Sequence, residues 1–533
     1  MNSTAATATD SAASAWSPLA LPLFRWLWVA TLASNVGTWM HEIGAGWMMT
    51  SLSPSPVMVA LVQTATTLPV FLLALPAGAL ADIVDRRRYL IGVQIWLAGV
   101  ATLLAGFAFG GQMTAWSLLA LTFGMGAGAA MMMPAWASIL PEIVPRAELP
   151  AAIALNSLGV NVARAVGPAV AGLIVSFAGT GAVFALNAVS YTGVIWVLTS
   201  WQRAATASEL PTERFMGSMR AGIRYARHAP ALHAAIIRGC GFFLFASAAW
   251  GLLPLIARRL PDGGPETFGA LVAAIGVGAV CGAFLLPRLR AMLSRDVLVA
   301  SATAAYAVAM LVLGNFSNLA VLCGAMALSG VAWITVLSSL QVAAQMALPN
   351  WVRSRGLAVF MAVFMGTMAL GSVAWGQVAK LAGIPAALSL SAAGALLMIG
   401  VTWRWRISGI EDADLTPATY WPAPTVHAGI EQDQGPVLVT VSYSVQPARR
   451  AEFLHAMQLL GKQRKRDGAF FWSVFEDTEL PNEFIETFSV ESWLEHLRQH
   501  ERVTGADHEL QLQVREMLLA GRPPQVKHFV APR

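Results

Sequence analysis

Apolar residues run along this chain in blocks of roughly 20, the length needed to cross a bilayer core of about 30 Å as a helix, and short polar breaks separate the blocks. About twelve such runs can be counted, at 23–50, 57–80, 88–109, 113–137, 151–178, 181–201, 232–257, 267–287, 297–314, 317–345, 355–380 and 385–403. After Arg406 the pattern changes. Residues 407–436 are acidic and proline-rich and read as a linker. Beyond them the periodicity is that of a water-soluble domain. "VLVTVSYSV" alternates like a strand, and "PARRAEFLHAMQLLGKQRKRDGA" reads as a helix with Pro447 at its start. "FFWSVFEDTELPNEFIETFSV" is a hairpin turning at Leu480-Pro481-Asn482. A long helical region over 492–519 and a last strand, "QVKHFV", complete the order β-α-β-β-α-β, which is the ferredoxin-like pattern.

The expected architecture is therefore an all-α membrane protein of 12 transmembrane helices in two six-helix halves, followed by an α+β ferredoxin-like cytoplasmic domain. Residues 1–20 read as a disordered tail, 21–201 as the first half, 202–230 as a cytoplasmic loop, 231–406 as the second half and 437–533 as the soluble domain. A weak internal repeat supports the halves: "LPEIVPRAEL" aligns with "LPNWVRSRGL", and "GPAVAG" with "GSVAWG".

Composition agrees. Of 533 residues 56% are hydrophobic and only 12% charged, against about 25% charged in a soluble domain. The net charge of +5 is concentrated in short loops. Arg86, Arg87, Arg88, Arg146, Arg220, Arg224, Arg288, Arg353 and Arg404 fall on one side, against Arg258, Arg259 and Lys380 on the other. That asymmetry places both termini in the cytoplasm of a bacterial-type inner membrane and names anionic lipid, not nucleic acid, as the neighbour. Basic residues of "ERFMGSMRAGIRYARHAP" predict a helix lying on the inner leaflet. Cys240, Cys281 and Cys323 lie singly in apolar runs and form neither a disulfide nor a metal framework.

Candidate chemistry sits where charge interrupts the apolar runs. Asn35, Trp39 and Glu42 share one helix face, and Glu42 is the candidate proton carrier. Asn161 and Arg164 share a face in the fifth run; Arg164 would bind an anionic substrate group or pair with Glu42. Ser338, Gln341 and Gln345 form a polar face in the tenth run. Arg238 is expected to snorkel to the surface. In the soluble segment His496 and His500 lie at i, i+4 in a strongly charged helix and read as solvated. With His508 they do not complete a metal set, so no metal and no cofactor is expected. No Gly-rich phosphate cradle of the G-x-x-x-x-G-K-[ST] type is present.

The loop "GALADIVDRRRYL" resembles the signature loop of the major facilitator superfamily, G-x-L-a-D-r-x-G-r-k/r, through Gly78, Leu80, Asp82, Arg86 and Arg87; Asp85 and Ile83 depart from it. The resemblance implies a gate, with Gly78 allowing close helix approach and Asp82 bonding to the opposite half. "ARAVGPAVAG" partly matches the G-x-x-x-G-P-x-x-G-G antiporter motif, with Gly167, Pro168 and Gly172 in place and Ala163 and Ala171 where glycines would stand. "SNVGTWMHEIGAGWMM", "PAWASILPEIVPRAELPAAIALNSLGVNVARAVGPAVAGLI" and "ETFSVESWLEHLRQHERVT" resemble the transmembrane secretion effector family, which includes the enterobactin exporter. That resemblance implies secondary-active export of a drug- or siderophore-like small molecule, with protons, the bilayer and the substrate as partners. Self-association through the C-terminal domain, which resembles small dimeric α+β barrels, is a further expectation. An importer, or a membrane-tethered enzyme or sensor working through 437–530, are the alternatives.

Overall fold

The computed structural model describes residues 16–145, 148–201, 223–349, 351–409, 431 and 433–532. The expected N-terminal tail, most of the 202–230 loop and most of the 407–436 linker lie outside the described residues. Eleven long helices are described: α1 (Pro22–Leu52), α2 (Pro56–Ile83), α3 (Arg86–Phe109), α4 (Ala115–Ile143), α5 (Leu149–Ser200), α6 (Pro230–Arg258), α7 (Pro265–Met292), α8 (Arg295–Asn315), α9 (Leu319–Met346), α10 (Arg353–Ala382) and α11 (Ile384–Thr402). Ten of these are long and apolar enough to cross a membrane. α1 is not among them, because Arg25, Asn35, His41 and Glu42 dilute its hydropathy. α5 is 52 residues long and breaks at Gly179, whose φ of 76° belongs to the left-handed region that glycine enters without strain.

The chain separates into two compact units, Met1–Pro211 with Cys240–Leu337 and Ala362–Val401, and Thr212–Gly239 with Ser338–Met361 and Thr402–Arg533. In the first unit, large apolar side chains point outward all round: Phe177 is 87% exposed, Phe284 81% and Leu381 84%. Water would not tolerate so much bare hydrocarbon, whereas lipid tails solvate it. Inside, α1 and α3 pack along α5, and Leu90, Leu104, Leu118, Ile139 and Phe184 fill the space between them. A second core gathers around Trp333 on α9, in ring contact with Phe242, Phe243, Trp250, Tyr306 and Phe364.

Between lipid-immersed helices the hydrophobic effect gives little, and association rests on close packing. Small residues supply it where α5 crosses α7. A Cβ added at Gly172 would sit 2.8 Å from the Pro265 carbonyl oxygen and 3.0 Å from the Glu266 Cα; at Gly276 it would sit 2.9 Å from the Ala165 Cα. These are backbone atoms, which cannot swing aside. α2 meets α10 in a similar way: the Thr64 hydroxyl donates to the Ala369 carbonyl at 3.0 Å, and Ala60 fills the place of a side chain at Gly376.

The second unit holds a four-stranded antiparallel sheet of order β2-β3-β1-β4, from β1 (Val437–Ser444), β2 (Phe471–Glu476), β3 (Glu483–Val490) and β4 (Gln525–Val530). β1 alternates buried and open positions, turning Val437, Val439 and Val441 onto the core. Helices α12 (Arg450–Asp467), α13 (Trp493–Arg502) and α14 (Gly505–Glu516) accompany the sheet. The expected single helix over 492–519 is two, because Thr504 and Asp507 form a capping box that starts a new one. The hairpin turn falls at Asn482, with φ of 67°. Inside the domain Glu486, fully buried, accepts from Arg464 (3.0 Å), Tyr443 (2.8 Å) and Trp472 (2.9 Å).

The same unit contains the helical stretch 223–228, the end of α9 and the start of α10. Arg224 pairs with Glu495 at 3.0 Å, and Arg502 holds the same carboxylate at 2.6 Å while stacking over Trp351. Tyr225, 3% exposed, packs edge-on against Trp351 and beneath Arg466. The described part of the expected inner-leaflet helix is thus packed against protein, because its Tyr225 and Arg224 find aromatic and acidic partners there. Arg238 is corrected too. It is 4% exposed, donates to the Trp405 carbonyl at 2.7 Å and lies over the Trp403 ring, so it is held inside the protein instead of snorkelling.

Two outcomes are expected. Glu486→Ala strips three donors, two of them buried, of their acceptor and leaves Arg464 charged in the core, a cost of about 3–5 kcal/mol. Amide exchange measured on the full chain will accelerate across β1–β4, while Glu486→Gln has a smaller effect. Gly172→Val forces α5 and α7 apart at about 1–3 kcal/mol and lowers the melting temperature in detergent. Gly99→Val, where a side chain meets nothing within 4 Å, will not.

Candidate functional site

The first half of α5 runs alongside α1, and glycine sets their distance. A Cβ at Gly167 would lie 2.7 Å from the Trp39 Cβ and 3.2 Å from the Val36 carbonyl oxygen. Three residues before Gly167, Arg164 reaches back to the same tryptophan, its guanidinium carbon 5.6 Å from the Trp39 ring centre. The indole face offers a cation the negative side of its quadrupole. Glu42, one turn beyond Trp39 on α1, is the opposite charge acting on Arg164. Trp39, Glu42 and Arg164 are half-buried, and the Nε of Arg164 has no hydrogen-bond partner. A charge at this depth costs about 3 kcal/mol by insertion scales. The Trp39 face and the Glu42 charge offset that cost, and they leave one donor of Arg164 available to an anion.

A cavity of about 50 Å³ opens beside Glu42. α1, α2 and α4 contribute His41, Glu42, Gln63, Thr66 and Thr122; α6 and α7 contribute Trp250, Pro254 and Phe268. It is therefore built from both halves of the first unit's helices. Its size suits a water or two, while an organic ligand fills about 300–1,000 Å³. His41 stands on its wall, 3% exposed and against Phe184, with neither ring nitrogen hydrogen-bonded.

The remaining sequence candidates are dispersed. Asn35 is half-buried one turn before Trp39. Asn161 is half-buried and donates to its own helix at the Ser157 carbonyl (2.9 Å). Pro168 and Gly172 are buried in the α5 crossings described above. Gly78 and Asp82 fall in the last turns of α2, and the side chain of Asp82 lies outside the described residues. Arg86 donates to Glu142 of α4 at 2.8 Å, and Arg87 donates to the Leu198 and Thr199 carbonyls at the end of α5, so both join the loop to helices of their own half. Asp85 caps α3 by accepting from the Arg88 amide. Ser338, Gln341 and Gln345 lie on α9 in the second unit, with Gln341 exposed and the others half-buried.

Gln63, Thr66, Thr122 and Trp250 were missed by sequence reasoning, and His41, next to Glu42 in sequence, points about 100° away from its face. Gln63 and Thr66 lie at i, i+3 in an otherwise apolar run, a spacing that could have singled them out. In the sheet domain His496 is not solvated but 1% exposed. Burial holds it at about 3 and His500 at about 4, so both rings are neutral.

The transmembrane secretion effector family model matches residues 13–533. Among curated proteins the chain is 23% identical over 265 residues to the staphyloferrin A transporter of Staphylococcus aureus (strain NCTC 8325 / PS 47), covering 48% of this chain and 64% of that one. It is 20% identical to macrolide efflux protein A of Streptococcus pyogenes, covering 49% and 65%. It is 25% identical over 400 residues to the multidrug efflux pump Tap of Mycolicibacterium fortuitum, covering 72% and 94%. The matched stretch is thus slightly under two thirds of the length of the first two relatives. Among solved structures, the nucleoside transporter NupG superposes with a TM-score of 0.61 at 10% identity, covering 72% of this chain and 99% of that one. A POT family transporter in complex with 5-aminolevulinic acid gives 0.59 at 11%, covering 72% and 95%. These likenesses concern the fold alone. With a family model spanning nearly the whole chain, this protein belongs to the transmembrane secretion effector family of the major facilitator superfamily, a family of membrane transporters and not of enzymes.

Proposed function

We propose that the chain exports a small organic molecule by alternating access, in exchange for protons carried by Glu42. The observation that carries the reading is the grouping of Trp39, Glu42 and Arg164 on the wall between α1 and α5, with Glu42 also lining the cavity shared by both halves. The ionised carboxylate of Glu42 receives a hydrogen-bond donor or cationic group of the substrate, while the unpartnered Nε of Arg164 takes its anionic group. Protonation of Glu42 from the outer side removes the charge that holds the donor and discharges the substrate. Proton and substrate thus exclude one another at Glu42, as exchange requires. The names of the relatives, a staphyloferrin A transporter and a macrolide efflux protein, support the class of cargo without selecting one.

In this reading α1 crosses the membrane despite its polar residues and α5 crosses twice about Gly179, giving twelve spans in two halves, 21–201 and 231–406, with both termini cytoplasmic. The signature loop, with Gly78, Asp82, Arg86 and Arg87, works as the inner gate. The sheet domain, 437–533, is ferredoxin-like in strand order and associates with a second copy through its open face.

The test is uptake into inside-out vesicles, screened over anionic siderophores, macrolides and dyes. An acidified lumen should drive accumulation, and indifference to the gradient would refute the coupling. Glu42→Gln should cut gradient-driven accumulation at least tenfold while substrate counterflow persists; unchanged accumulation removes Glu42 from the mechanism. Arg164→Met should lower transport of anionic substrates at least tenfold, with normal membrane insertion, and spare neutral ones.

A further inference from the structure

Three imidazoles converge within the C-terminal sheet domain. His496 and His500 are one turn apart on α13, and His528 comes from β4, where it pairs in register with Val439 of the central strand. One ring nitrogen from each of the three lies within 4.8 Å of the others. The Nε2 atoms of His496 and His500 are 3.2 Å apart. Two imidazole nitrogens bound to one ion at about 2.0–2.1 Å, with a tetrahedral angle between them, stand about 3.3 Å apart. The helical pair therefore already holds a chelating separation, and a side-chain rotation of about 1–1.5 Å brings in the third nitrogen. A hydrogen bond between two neutral rings accounts for the pair but not for the third ring turned toward it.

The surroundings fit a ligand set. Trp493 closes one side, its ring 5.3 Å from His496 and 5.9 Å from His528. The Nδ1 of His496 and both amide atoms of Gln499 are buried without partners, and the two side chains adjoin. A His that binds an ion through Nε2 carries its proton on Nδ1 and donates it to a neighbouring oxygen; Gln499, beside His496, carries one. The nearby cation, Arg464, is neutralised by Glu486. His500 and His528 are only half-buried, which leaves a route from solvent.

We propose that His496, His500 and His528 form a binding site for a divalent first-row transition-metal ion, with Zn2+ the best match to three imidazoles and a fourth position open to water. His508, which sequence spacing grouped with the helical pair, is outside the set; the third ligand is His528.

The full chain, purified in detergent with a histidine-free tag and stripped with chelator, is titrated with ZnCl2 by calorimetry and with Co2+ by visible absorption. One ion per chain is expected, with micromolar or tighter affinity, a Co2+ spectrum of tetrahedral nitrogen coordination, and a Zn2+-dependent rise in melting temperature. His496→Asn, His500→Asn and His528→Asn should each weaken binding at least tenfold, and His508→Asn should leave it unchanged. His528→Gln serves if the Asn variant is unstable. Absence of stoichiometric binding by the unaltered chain, or binding that survives loss of His528, would overturn the site.

Discussion

A guanidinium placed in the middle of a lipid-immersed helix must be answered by something on the protein side. Here the answer is an indole face and a carboxylate on the neighbouring helix, and Gly167 is what permits it. Without a side chain at that position, α5 comes close enough to α1 for Arg164 to lie over Trp39 and to act on Glu42. The packing requirement and the electrostatic requirement are thus met by one helix pair. Any larger residue at Gly167 would move the charge away from what compensates it, so the glycine is as much an electrostatic determinant as a steric one.

The crossings of α5 with α7 and of α2 with α10 extend the same logic through the first unit. Backbone approach at Gly172, Gly269 and Gly276 gives van der Waals contact where hydrophobicity offers little. Such contacts are flat and nondirectional compared with salt bridges. The cavity beside Glu42 is small because the apolar walls from α6 and α7 close directly onto α1 and α2.

Much of this was legible in the sequence. Lipid-facing runs announce themselves through length and hydropathy, and the sheet domain through strand alternation. The one face of Asn35, Trp39 and Glu42 follows from helical spacing alone, and so does the shared face of Asn161 and Arg164. What sequence spacing could not show depends on contacts between distant segments. His528 joins His496 and His500 only because β4 pairs with β1, a register that no local pattern reveals. The strong polarity of "SWLEHLRQHERVT" made its histidines look solvated, whereas Glu495 and Arg502 of that helix face protein partners. Arg224 and Tyr225 looked like membrane-surface residues for the same reason: a basic, aromatic stretch suits lipid headgroups and acidic protein surfaces alike.

The contacts of α13 reach beyond the sheet domain. Through Glu495 the helix grips Arg224 just ahead of α6, and through Arg502 it caps Trp351 in the connection from α9 to α10. Within the second unit, one ten-residue helix therefore ties together the segment ahead of α6 and the connection between α9 and α10, so two stretches of chain far apart in sequence share a single acidic and cationic clasp.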